Sequence, residues 1–151
     1  MRDDKIYETH YGYWFNLLNE RAYHHTDVLL NLVQLVGGSA AAFAALQNSP
    51  LLVVASGLAL AICAAISLLI QPGVKAEQHR VCKAQWLALR GTAHQLNDNE
   101  LENRVTDIQT SGPTGLGVLM DVAFNATMRA TGREDARVDL GAMQKLAAIL
   151  S

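Results

Sequence analysis

The sequence predicts an all-α membrane protein: a two-helix transmembrane hairpin, preceded by an N-terminal amphipathic helix and followed by C-terminal cytosolic helices. Three observations lead there. Val28–Leu46 and Leu51–Ile70 are uncharged runs of 19 and 20 residues, close to the ~20 residues that carry a helix across a hydrocarbon layer about 30 Å thick. Only four residues separate them, Gln47-Asn48-Ser49-Pro50, so the two helices must be antiparallel neighbours. Outside these runs the apolar residues recur every three or four positions, and no stretch shows the alternation of a strand.

The competing reading is a buried hairpin inside a soluble bundle. The first run leaves room for it, because it holds Asn31, Gln34, Gly37, Gly38 and Ser39. Two helices apolar on every side would, however, need the rest of a 151-residue chain to wrap them completely, and the remaining segments are too charged and too few. Ser49 followed by Pro50 is an N-cap with a first-turn proline, which starts the second span there. The predicted organisation is therefore a cytosolic or interfacial helix over 1–27, spans over 28–46 and 51–70 with an outer turn at 47–50, a cytosolic helical region over 71–132, and a helical tail over 133–151.

Basic residues orient the hairpin. Arg2, Lys5 and Arg21 precede the first span, Lys75, Arg80, Lys83 and Arg90 follow the second, and the turn has none. By the positive-inside rule both ends are cytoplasmic and the turn faces outward. The start does not read as a secretory signal, since five acidic residues lie in 1–27 and no apolar core precedes the span. A net charge of −2 without a Lys/Arg cluster argues against a nucleic-acid partner. Cys63 falls in a span and Cys82 in a reducing compartment, so no disulfide is expected.

In the first segment Ile6, His10, Tyr13, Trp14, Leu17 and Leu18 recur at helical spacing. Six of the nine aromatic residues lie there, which fits either of two roles equally: interfacial anchors at the headgroup layer, with Tyr13 and Trp14 foremost, or packing against the cytosolic helices. After Pro72-Gly73 the stripe Cys82, Trp86, Leu89, Ala93 and Leu96 predicts another helix. Asn97 with Glu100 three residues later forms a capping box for a short helix through Leu101, Val105 and Ile108, ending near Ser111-Gly112-Pro113. A further helix from Leu116 to about Thr131 places Leu119, Met120, Ala123, Phe124 and Thr127 on one side, with Gly132 as its C-terminal cap. The tail helix takes Asp139 as its cap and Leu140, Met143, Leu146, Ala147 and Leu150 as its apolar face.

Catalytic signatures are missing. His10, His24, His25, His79 and His94 make no HExxH, and His79-x-x-Cys82 lacks the second pair a zinc site needs. Ser111–Gly117, SGPTGLG, has glycines at phosphate-loop spacing, but Val118 and Leu119 stand where Lys and Ser/Thr are required. No enzyme, cofactor or metal is expected. The informative residues are on the spans: Asn31, Gln34, Gly38 and Ala41 fall on one face of the first, and Ser56, Cys63 and Ser67 on one face of the second. Gly57, Ala61 and Ala65 make a neighbouring small-residue face. Lipid rewards neither amides nor small side chains, whereas helix contact rewards both. One hairpin can cover only one face of each helix, so Gly57, Ala61 and Ala65 read as oligomerisation positions. The other seven read as pore-lining or inter-subunit residues, and packing and a hydrated path both remain open for them.

The order of parts resembles the SLATT family of two-transmembrane effector domains from bacterial nucleotide-signalled conflict systems. The residues that carry the likeness are N-E-R-A-Y-H-H (Asn19–His25), the hairpin with its minimal outer turn, A-E-Q-H-R (Ala76–Arg80) and the helix-loop-helix over Asn97–Gly132. The resemblance implies a non-enzymatic, homo-oligomeric effector in the bacterial inner membrane, forming a pore or perturbing the bilayer in anti-phage defence. Its partners would be lipid, further copies of itself, and a sensor protein or a nucleotide signal. A regulatory or scaffolding membrane subunit, or a phage-encoded protein of the holin or superinfection-exclusion kind, shares the same small two-span plan.

Overall fold

A computed structural model of the protein describes residues 2–47 and 49–151. The described residues are helical, without strands: α1 (Arg2–Leu46), α2 (Pro50–Ile70), α3 (Pro72–Thr92), α4 (Asp98–Ser111), a single 3-10 turn at Gly117–Leu119, α5 (Met120–Ala130), a second at Glu134–Ala136, and α6 (Ala142–Leu150). They form two compact units. One contains the chain up to Ala22 together with Lys75–Ser151, and the other is Tyr23–Val74.

The expected amphipathic helix and first span are one element. α1 runs 45 residues without a break, because no proline or glycine falls between Tyr13 and Val36 to stop it. α2 begins where expected, with Pro50 in its first turn, but the Ser49 side chain makes no cap hydrogen bond. Asn48 of the intervening turn lies outside the described residues. α2 ends at Gln71, which adopts φ 50° and returns its N–H to the Ser67 carbonyl at 3.0 Å. Pro72 then starts α3 directly, occupying a first-turn position that needs no N–H.

In the bundle unit, Cys82, Trp86, Leu89 and Ala93 of α3 and its C-terminal turn meet Leu101 and Val105 of α4 in one buried cluster. The capping box forms as expected: Asn97 Oδ1 accepts from the Glu100 N–H at 2.9 Å and Glu100 Oε2 accepts from the Asn97 N–H at 3.2 Å. Arg2 ties α1 to this corner, donating to the carbonyls of Ala93 and Leu96 and to the Asp98 carboxylate. A second cluster joins Leu18 of α1 to Leu119, Val122 and Ala123.

Two expectations change here. The helix placed at 116–131 is a 3-10 turn followed by α5, with Met120 exposed rather than buried. Its end is as expected, since Gly132 takes φ 73° and the Arg133 N–H reaches back to the Met128 carbonyl. The tail helix starts later than expected, capped at Gly141 and not Asp139, with Gln144 Oε1 accepting from the Gly141 N–H at 2.7 Å. Its packed side is Ala147 and Ala148, beside Leu140, while Met143, Leu146 and Leu150 of the predicted apolar face lie exposed. An apolar helix with small residues on one side and large ones on the other packs most closely on the small side.

Candidate functional site

The second unit holds the two runs singled out by composition. Each helix is long and apolar enough to cross a membrane, and the most apolar window of each has none of its residues buried. A core helix of a soluble protein shows the reverse. Within the unit, one stripe on each helix is half-buried: Leu30, Gln34, Gly37 and Ala41 on α1, and Val53, Ser56, Leu60, Cys63 and Ser67 on α2. The steps of three and four are those of a packed helix seam. Gln34 Nε2 donates to Ser67 Oγ at 3.3 Å. A side chain built on Gly37 would stand 3.0 Å from Leu60 Cδ2, so this glycine lets the helices approach.

The seam divides the candidate residues. Gln34, Ala41, Ser56, Cys63 and Ser67 belong to it, and Ser56 Oγ bonds back to the Leu52 carbonyl at 2.7 Å. Asn31 and Gly38 do not, so the two amides are not a joint face: Asn31 is exposed and donates to Asp27 Oδ2 at 3.2 Å. Around Gly38 and Gly57 no atom lies within 4 Å of an added Cβ, and Ala61 and Ala65 are exposed beside Gly57. Gly38, Gly57, Ala61 and Ala65 thus lie open among the described residues, and the Asn31 amide bonds within its own helix.

Tyr13 and Trp14 lie in the bundle unit. The Arg90 guanidinium sits 4.9 Å over the Tyr13 ring, and Trp14 packs on the Leu18–Leu119 cluster. Tyr7 meets Phe124 edge-on at 6.3 Å, and Tyr11 stacks on Phe15 at 5.9 Å. These contacts are those of the packing alternative.

A polar cluster in the same unit was not picked out from the sequence. Asn16 Nδ2 donates to the Gly12 carbonyl at 2.8 Å, which turns its Oδ1 toward His79 Nδ1 at 2.8 Å. In that orientation Asn16 Oδ1 can accept a proton carried on His79 Nδ1. One turn further along α1, Asn19 Oδ1 accepts the Leu116 N–H at 2.6 Å, and Glu20 forms an ion pair with Lys83. Among the described residues no group of three His, Cys, Asp or Glu is placed to hold a metal ion.

Burial lowers the pKa of His79, with Lys75 adding to the effect and the Thr114 backbone and Glu20 opposing it. Burial likewise lowers His10, helped by Arg90 and His94. A histidine held below its unfolded value binds fewer protons folded than unfolded. Its contribution to stability is therefore full above the unfolded pKa of about 6.5 and is lost as the pH falls. The thermal midpoint of the detergent-solubilised protein should drop between about pH 7.5 and pH 5.5, and His79→Gln should flatten that dependence. An identical pH profile in the variant would contradict this account of His79.

Set against protein-family models, curated proteins and solved structures, the chain matches none of them.

Proposed function

We propose that the protein is a non-enzymatic membrane effector: a two-span hairpin that inserts in the bacterial inner membrane, associates with further copies, and makes the bilayer leak. The observation that carries this reading is the pair of open faces on the apolar unit. Gly38 on one helix, and Gly57, Ala61 and Ala65 on the other, lie open among the described residues, and the exposed Asn31 amide on the first bonds back to Asp27 of its own helix. A lipid-facing surface gains nothing from missing side chains, which let neighbouring helices approach closely, or from an amide, which a hydrated path between copies would use. The likeness to SLATT effectors supports the same reading, with the bundle as the part that receives the trigger.

Induced expression in a bacterium should depolarise the inner membrane, read with a potential-sensitive dye. A scaffolding subunit would be made in quantity and leave the potential intact. Topology is checked on the same cells. Gln47→Cys, in the turn, should react with an impermeant thiol reagent on intact spheroplasts, while Gln78→Cys should react only after permeabilisation. Gln78 is the better inner reporter because it is exposed, whereas Cys82 is buried and burial raises its thiol pKa. Labelling of Gln78→Cys from outside would overturn the orientation.

A further inference from the structure

The bundle unit leaves two apolar surfaces open, and they are complementary. α6 presents Met143, Leu146 and Ile149, which are 71%, 52% and 79% exposed, in a row at helical spacing. On the other side of the sequence, α3 and α4 enclose a trough of about 560 Å³ floored by Ala88, Leu89, Leu96 and Ile108, with Arg104 and Asp107 on its α4 wall. We infer that α6 of one copy seats in the α3/α4 trough of the next, a contact that rests on the self-association proposed above and names the surface through which it runs in the bundle.

Size and charge both select this occupant. Nine residues of α6 make a rod about 13 Å long, which fits along the Gln85–Leu96 stretch that borders the trough. Lys145 is the one charged side chain on α6. If α6 runs antiparallel to α4, Lys145 meets Asp107 while the negative end of the α6 helix comes toward Arg104, so each charge on the wall finds its opposite. The two surfaces are different and lie on the same chain, which makes the contact heterologous. Copies joined this way continue head to tail and close into a ring when the rotation permits. A two-fold dimer would instead pair each surface with itself.

Cross-linking in native membranes separates these cases. In the full chain carrying Cys63→Ala, the pair Thr92→Cys, in the trough, and Ile149→Cys, on α6, should give a ladder of dimer, trimer and higher species with a short bismaleimide. Each single variant should stay monomeric on the gel, and the two singles expressed together should stop at dimer. Lys145→Glu should weaken the ladder, and Asp107→Lys added to it should restore it. Dimers from either single variant, a cross-link to a protein of another mass, or a shifted monomer band from closure within one chain would overturn the contact. The native mass of the same preparation tells which idea has failed. An oligomer without a ladder sinks the trough contact alone, and a monomer sinks self-association with it.

Discussion

Gly12→Leu should unfold the bundle, and even Gly12→Ala should destabilise it. Gly12 is buried within α1 with the Trp86 indole against its open side, and an added Cβ would stand 2.8 Å from Trp86 Nε1 and closer still to the ring carbons. The indole is packed in the cluster of Cys82, Leu89, Leu101 and Val105 and would have to shift out of those contacts. Forcing extra atoms into such a site costs about 1–3 kcal/mol or more, a large share of the roughly 5–15 kcal/mol that holds a domain together. Placing alanine for glycine in a helix otherwise gains up to about 1 kcal/mol. Gly91→Ala supplies the contrast: Gly91 lies in α3 with nothing within 4 Å of an added Cβ, so that variant should raise the thermal midpoint. If Gly12→Ala raises the midpoint as Gly91→Ala does, the Gly12–Trp86 packing is wrong.

The second large effect is on assembly. Gly38→Leu and Gly57→Leu each add bulk where the chain itself offers no obstruction, so the helix pair should form and insert as before. The mass of the particle extracted in mild detergent should nevertheless fall toward the monomer, because losing about 1.4 kcal/mol of contact already lowers association tenfold. Gly37→Leu should act differently. Its side chain would meet Leu60 of the same chain, so it should disrupt the pairing of α1 with α2 and reduce the amount of folded protein recovered. Unchanged mass in both Gly38→Leu and Gly57→Leu would mean that these faces meet lipid.

The adjacency of Gly37 and Gly38 shows where sequence reading stopped. Consecutive helical residues point about 100° apart, and which of two neighbouring glycines faces the partner depends on a rotation that composition does not set. The same rotation separated Asn31 from Gln34, three residues apart and grouped together by spacing. Local signals fared better: the Asn97–Glu100 box, the Gly132 cap and the Pro50 start each depend on a few adjacent residues, and each appears where expected. The border at 27/28 was a change of composition with no breaker behind it, so the helix ran through it. The Asn16–His79 bond joins residues 63 apart, and the sequence offered His79 only as half of an incomplete His79-x-x-Cys82 pair. In the tail helix, apolar residues on both sides allowed the pattern to favour the side of Met143 and Leu146, whereas Ala147 and Ala148 are the packed ones.

The central question is whether assembled copies open the bilayer. Purified protein reconstituted into vesicles loaded with a self-quenching dye measures this without a host. Release should rise more steeply than in proportion to protein density, as a leak made by several copies must. Asn31→Leu should keep the particle mass and lose most of the release, because an exposed amide on the open face of α1 is replaced by a side chain that favours a dry contact. Vesicles that stay tight at densities where the oligomer is present would contradict the account.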